Sequence, residues 1–124
     1  MALKRISLII MTLFYFAAGI NHFRNPAAYY PLIPPYFSWP EIINGLAGFA
    51  EILFACGLIF KATRKWAAWG IISMMIAFIP SHIYMIQQGG CFPKPAFCFP
   101  LWVMWLRLLL IQPLLLWWAY SNRK

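Results

Sequence analysis

The sequence predicts an all-α fold, a four-helix up-and-down transmembrane bundle with both termini cytoplasmic, and three observations carry that reading. The chain of 124 residues is 64% hydrophobic and only 10% charged, whereas a soluble domain carries about 25% charged residues. Four apolar runs, at about residues 4–22, 41–60, 66–87 and 100–120, have the length needed at about 1.5 Å per residue to span a hydrocarbon core of about 30 Å. Lys4, Arg5, Lys61, Arg64, Lys65, Arg123 and Lys124 would fall on one side, and only Arg24 and Lys94 on the other. The positive-inside rule makes the richer side cytoplasmic. The chain thus reads as one four-span domain with exoplasmic connections at about residues 23–40 and 88–99. A net charge of +8 raises nucleic acid as a partner, but the basic residues are scattered between apolar runs instead of forming one face, which excludes it.

The first run starts behind Lys4 and Arg5 and ends at Asn21 and His22. A basic start with Ala17, Ala18 and Gly19 also fits a cleaved signal peptide. Three further apolar runs follow, however, and the polar end suits a retained helix entering a polar vestibule. Residues 24–40 hold Pro26, Pro31, Pro34, Pro35 and Pro40 among Tyr29, Tyr30, Tyr36, Phe37 and Trp39. Prolines exclude a regular helix there and aromatics favour the headgroup zone, so this connection is expected along the interface, over one mouth of the bundle.

The second run opens on Pro40 and Glu41, a proline and an acid at a helix start, and the basic turn from Lys61 to Lys65 closes it. On a helical period Asn44, Gly48, Glu51, Ala55 and Leu58 share one stripe. Small and polar residues in such a stripe permit close helix approach, so it is expected to face the interior. The third run is expected to kink at Pro80 and the fourth at Pro113. Met74, Met75, Met85 and Met104 read as filler or as cavity lining, and Cys56 as a packing residue.

Glu51 is the residue that needs explaining, because a carboxylate at that depth costs a few kcal/mol and requires a partner. Counting helical rise from the exoplasmic side puts Arg107 within about 4 Å of its depth, and Arg107 is the predicted partner. The pair reads either as structural or as the base of a ligand or proton site. His22 and His82, with Asn44 and Gln112, would ring an outward-facing polar pocket above it. An imidazole there is either satisfied structurally or able to bind a quinone carbonyl, relay a proton or ligate a metal. Glu41 and Glu51 are the only acidic side chains, too few for a two-carboxylate centre, and no metal site is assigned. Cys91 and Cys98 share an exoplasmic connection suited to oxidation. Their spacing matches neither the Cys-x-x-Cys redox pattern nor a standard zinc pattern, so a structural bridge, a redox pair and metal ligands all stay open.

The run Ala18-Gly19-Ile20-Asn21-His22-Phe23 with Pro26, then Ile33-Pro34-Pro35-Tyr36, Gly48 to Glu51, Phe78 to Tyr84, and Leu106-Arg107 with Gln112-Pro113 resemble the DoxX-like family of small membrane proteins. The resemblance covers about residues 15–120. It implies a compact four-helix bundle in a bacterial inner membrane, and activities that range from quinone-dependent sulfur oxidation to maturation of partner proteins. It supplies no catalytic set, and the loop with Cys91 and Cys98 departs from the commoner members. The expected function is an accessory or binding protein whose pocket takes a lipid-like ligand or a partner helix. A quinone-linked thiol/disulfide redox protein and a small proton-coupled transporter are the alternatives. Expected partners are the bilayer, a membrane or exoplasmic protein and further copies of the chain. A quinone is the one cofactor considered.

Overall fold

A computed structural model describes residues 1–93 and 96–124, and it is helical apart from one short ribbon. Lys94, counted above with the sparse basic residues, lies outside the described residues. The order is α1 (Ala2–Arg24), α2 (Pro26–Tyr29), a 3₁₀ turn (Tyr30–Leu32), α3 (Pro40–Ile59), α4 (Lys61–Ala77), α5 (Ile79–Gln87), β1 (Cys91–Pro93), β2 (Ala96–Cys98), α6 (Leu101–Leu106), a π-helical turn (Arg107–Ile111) and α7 (Gln112–Ser121). Four stretches are long and apolar enough to cross a membrane: Ala2–Arg24, Pro40–Ile59, Lys61–Gln87 and Leu101–Ser121.

The proline-rich connection contains short helical turns, the first beginning on Pro26 and the second holding Pro31 in its opening positions. A proline in a first turn gives up an N–H that has no helical partner anyway, so it starts a helix it could not continue. Trp39, at a left-handed φ of 64°, turns the chain into α3, a conformation uncommon for a bulky residue. The basic segment 61–65, expected as a turn, is instead the start of α4, because Phe60 alone makes the break in an extended conformation. Thr63 Oγ1 donates to the Gly57 carbonyl at 2.8 Å and Arg64 Nε to that of Leu58 at 2.9 Å. These bonds satisfy the last carbonyls of α3, which lack partners within their own helix.

The third membrane-length stretch is interrupted at Phe78, two residues before Pro80. In the fourth, the backbone N–H of Gln112 reaches back to the Arg107 carbonyl, the wide turn of a π-helix. Pro113 follows at once; its ring would clash with a carbonyl one α-turn back, and the wider turn relieves this.

The main core combines Met11 and Tyr15 of α1, Ala55 and Leu58 of α3, Ala67, Ala68, Ile71, Met74 and Met75 of α4, and Ala119 of α7. Met85 and Met104 form a smaller cluster, so all four inner methionines are packed in cores. α1 packs along α3, α3 against α4, and α4 against α7. Trp118 Nε1 and Asn122 Nδ2 both donate to Ser7 Oγ, at 2.8 and 3.1 Å, which ties the end of the chain to its beginning.

Candidate functional site

The buried residues of α3 are Asn44, Gly48, Glu51, Ala55 and Leu58, one stripe at helical spacing. α1 answers with Met11, Tyr15, Gly19 and His22. The two stripes meet almost without side chains between them. A Cβ added to Gly48 would stand 2.7 Å from His22 Cβ and 3.0 Å from the Gly19 carbonyl oxygen, and one added to Gly19 would stand 2.8 Å from the Gly48 carbonyl oxygen. Asn44 and Glu51 are two turns apart, about 10 Å along the axis. Gly48 between them leaves the space that the His22 side chain crosses.

His22 therefore bridges the two. Its Nδ1 lies 2.6 Å from Asn44 Oδ1, and its Nε2 lies 3.4 Å from Glu51 Oε2. Asn44 Nδ2 donates to the backbone carbonyl of His22 at 2.9 Å. That second bond fixes the amide, because a flipped Asn44 would set oxygen against oxygen. With Oδ1 as acceptor, His22 Nδ1 must carry the hydrogen. Nε2 and Oε2 are within ion-pair reach but not hydrogen-bonded, and one proton on the pair would set either imidazolium opposite carboxylate or carboxylic acid opposite imidazole. Both arrangements give a net-neutral pair, the form that a low-dielectric interior favours.

Tyr29 stacks on the His22 ring with centroids 3.9 Å apart, and Asn21 Nδ2 donates to its hydroxyl at 2.6 Å. Tyr15 is buried two turns along α1 from His22, and its hydroxyl is an electrostatic neighbour of Glu51. Tyr15 Oη, Glu51 Oε2 and His82 Nδ1 are buried without a hydrogen-bond partner among the described residues. Most buried polar groups are hydrogen-bonded, so these atoms mark where a polar ligand or water has something to bind.

A second polar group lies between α5 and the last helical stretch. Gln112 Nε2 donates to the Met75 carbonyl at 2.7 Å, one residue from the carbonyl that Pro80 leaves free, and its side chain is also a hydrogen-bonding neighbour of His82. His82 is buried at 6% exposure, whereas Arg107 beside it is exposed. The electrostatic neighbours of Arg107 are His82 and Tyr29.

Several expectations change here. Glu51 pairs with His22, and among the described residues Arg107 has no ion pair. Equal depth had suggested the Glu51–Arg107 pair, but depth does not decide which way a side chain faces. Glu51 is also not the floor of an open pocket: it is sealed at 5% exposure by the close approach of α1 and α3. A cleft of about 630 Å³ does lie near this end, but residues between Arg24 and Pro31 line it. Cys91 and Cys98 form a disulfide across paired positions of the ribbon, and Cys56 is free and half-buried. Tyr15 and Tyr29 were missed. The stripe through Met11, Tyr15, Gly19 and His22 could have found Tyr15, but Tyr29 follows the end of α1 and carries no periodic signal. Among the described residues there is no group of three or more His, Cys, Asp or Glu that could hold a metal.

Fold and site together define a small helical protein with four membrane-length helices and two interior polar groups. The chain belongs to the DUF8561 family, described as a domain of unknown function, which matches residues 11–123. No curated protein and no solved structure matches it.

Proposed function

We propose that the protein is an accessory component of a bacterial inner membrane, DoxX-like in plan, that binds a lipid-like molecule through carbonyl or anionic oxygens at Arg107. Its spans run up and down with both termini cytoplasmic. The shared Ser7 contacts of Trp118 and Asn122 support that plan, because they bring the basic ends at Arg5 and Arg123 together.

The observation that carries the binding role is Arg107 itself. It lies within a membrane-length helix, exposed, with no carboxylate partner among the described residues, and beside it is a buried His82 whose Nδ1 is unpartnered. Arginine at the centre of a span costs about 2.5–3.5 kcal/mol on insertion scales, and such residues mark functional sites by default. An oxygen-bearing ligand offsets that cost. The unpartnered Nδ1 of His82 can complete the hydrogen bonding.

The test is mass spectrometry of organic extracts from purified protein. Wild type should carry a near-stoichiometric lipid-like compound. Arg107→Gln should lower its content by about 10- to 100-fold, the equivalent of the roughly 1.5–3 kcal/mol of a charge-assisted hydrogen bond. Clean extracts together with a crosslink from position 107 to another protein would replace the lipid with a partner helix.

One observation favours a second reading. The ribbon that carries the Cys91–Cys98 disulfide directly joins α5, which bears His82, to the helix that leads into Arg107. A quinone at Arg107 would take two electrons and two protons from the reduced cysteine pair, leaving quinol and the disulfide. Thiol trapping in cells with respiration blocked decides this, since a pair that stays fully oxidised throughout would eliminate the redox role.

A further inference from the structure

We propose a second site, for one anionic phospholipid, at the opposite end of the molecule between α1 and the α3–α4 corner. Arg5, Leu8, Ile9 and Leu13 recur along one face of α1 at helical spacing, and with Ile59 and Arg64 they line a cleft of about 430 Å³. Arg5 is near the start of the helix, and Leu13 lies two turns further on, about 12 Å along it. The cleft is therefore basic at one end and, apart from Thr12, apolar along its length.

The two arginines are prepared differently. Arg64 donates from Nε to the Leu58 carbonyl at 2.9 Å and from Nη2 to the Ile59 carbonyl at 3.2 Å, which holds its guanidinium plane against the end of α3. Arg5 is exposed, and its side chain makes no hydrogen bond or ion pair among the described residues. No acidic side chain neutralises them: Glu41 stands at the far end of α3 and Glu51 is sealed inside.

Charge and shape together select the occupant. A phosphodiester matches guanidinium groups in charge and in hydrogen-bond geometry. Acyl chains match Ile9, Leu13 and Ile59, which are 58%, 63% and 57% exposed. A free phosphate would use the arginines but leave those walls uncovered. Basic pockets between helices on the cytoplasmic side are where anionic headgroups bind, and this cleft lies at the end that carries Lys4, Arg5, Lys61, Arg64 and Lys65.

The test is native mass spectrometry of the full chain in mild detergent, titrated with phosphatidylglycerol or with phosphatidylcholine of the same acyl chains. Phosphatidylglycerol should be retained preferentially. Arg5→Gln should reduce that retention about fivefold, the effect of one basic residue near an anionic surface. Lys65→Gln, an exposed charge outside the cleft, should leave it within about twofold on the same scale. Leu13→Trp, which crowds the apolar wall at constant charge, should also weaken retention. Arg64 is left intact because it caps α3. Equal losses in Arg5→Gln and Lys65→Gln would mean diffuse attraction and overturn the site, as would equal retention of the two lipids. Displacement of the lipid by inorganic phosphate, with Leu13→Trp unaffected, would mean that the arginines read free phosphate, and would also overturn it.

Discussion

The two polar groups inside this protein differ in how their charges are satisfied. Between α1 and α3, Glu51, His22 and Asn44 are buried and meet one another across a seam of glycines. Between α5 and the last helical stretch, His82 and Gln112 are buried, but Arg107 is exposed without a counter-ion among the described residues. The first group sets its one acid against an imidazole and so holds two helices in register, although Glu51 Oε2 and Tyr15 Oη keep hydrogen-bonding capacity to spare. The second carries a cation with no counter-ion among the described residues, so it is the one with a charge left to satisfy. Backbone geometry follows the same division: α1 and α3 are uninterrupted, whereas α4 and α5 break at Phe78 and the last stretch widens at Arg107–Ile111.

The largest expected effect comes from pushing the closed seam apart. Gly48→Ala brings a Cβ to 2.7 Å from His22 Cβ and 3.0 Å from the Gly19 carbonyl oxygen, and neither neighbour can yield without shifting α1. Thermal unfolding in detergent should show a loss of about 3 kcal/mol, the upper part of the overpacking range. Gly45→Ala, one turn earlier on the same helix with nothing within 4 Å, should be neutral or stabilising by about 0.5–1 kcal/mol through helix propensity. Equal losses at both positions would mean that the seam is not what holds these helices.

Asn44→Ala should come next. It removes the acceptor for His22 Nδ1 and the donor to the His22 carbonyl. Leaving such buried partners unsatisfied costs about 1–3 kcal/mol. The same substitution should free the His22 tautomer, so the imidazole nitrogen resonances in NMR should move in the variant and stay unchanged in Gly45→Ala.

The legibility of these features in the sequence follows the same line. Every residue of the α3 stripe, from Asn44 to Leu58, is visible from helical period alone, because a straight helix maps spacing onto a face. The partner of Glu51 was missed because depth along the axis was compared without direction around it. The glycine gap at position 48 is the signal that points to His22. Around Arg107 the period itself shifts, since a π-turn accommodates one more residue per turn between Arg107 and Gln112 and so moves the positions beyond it out of the α-helical register. Tyr29 depends on how a proline-rich connection folds back over His22, which no periodicity encodes. The basic segment 61–65 looked like a turn because charge stood in for geometry, although one extended residue, Phe60, was enough to reverse the chain.

The smallest expected effect on stability is also the most discriminating. Breaking a buried ion pair by removing one partner costs about 3–5 kcal/mol, so a Glu51–Arg107 pair would make Arg107→Gln severely destabilising. With Glu51 facing His22 and no carboxylate beside Arg107 among the described residues, Arg107→Gln removes a lone charge from a membrane-length helix and should not lower the unfolding free energy. A double-mutant cycle separates the cases directly. Residues in contact couple by about 0.5–3 kcal/mol, and distant ones are additive within about 0.5 kcal/mol. His22→Gln with Glu51→Gln should therefore show coupling, and Arg107→Gln with Glu51→Gln should not. Coupling in the second cycle would join the two polar groups into one electrostatic unit, and Arg107 would then no longer be the unsatisfied residue on which the binding role rests.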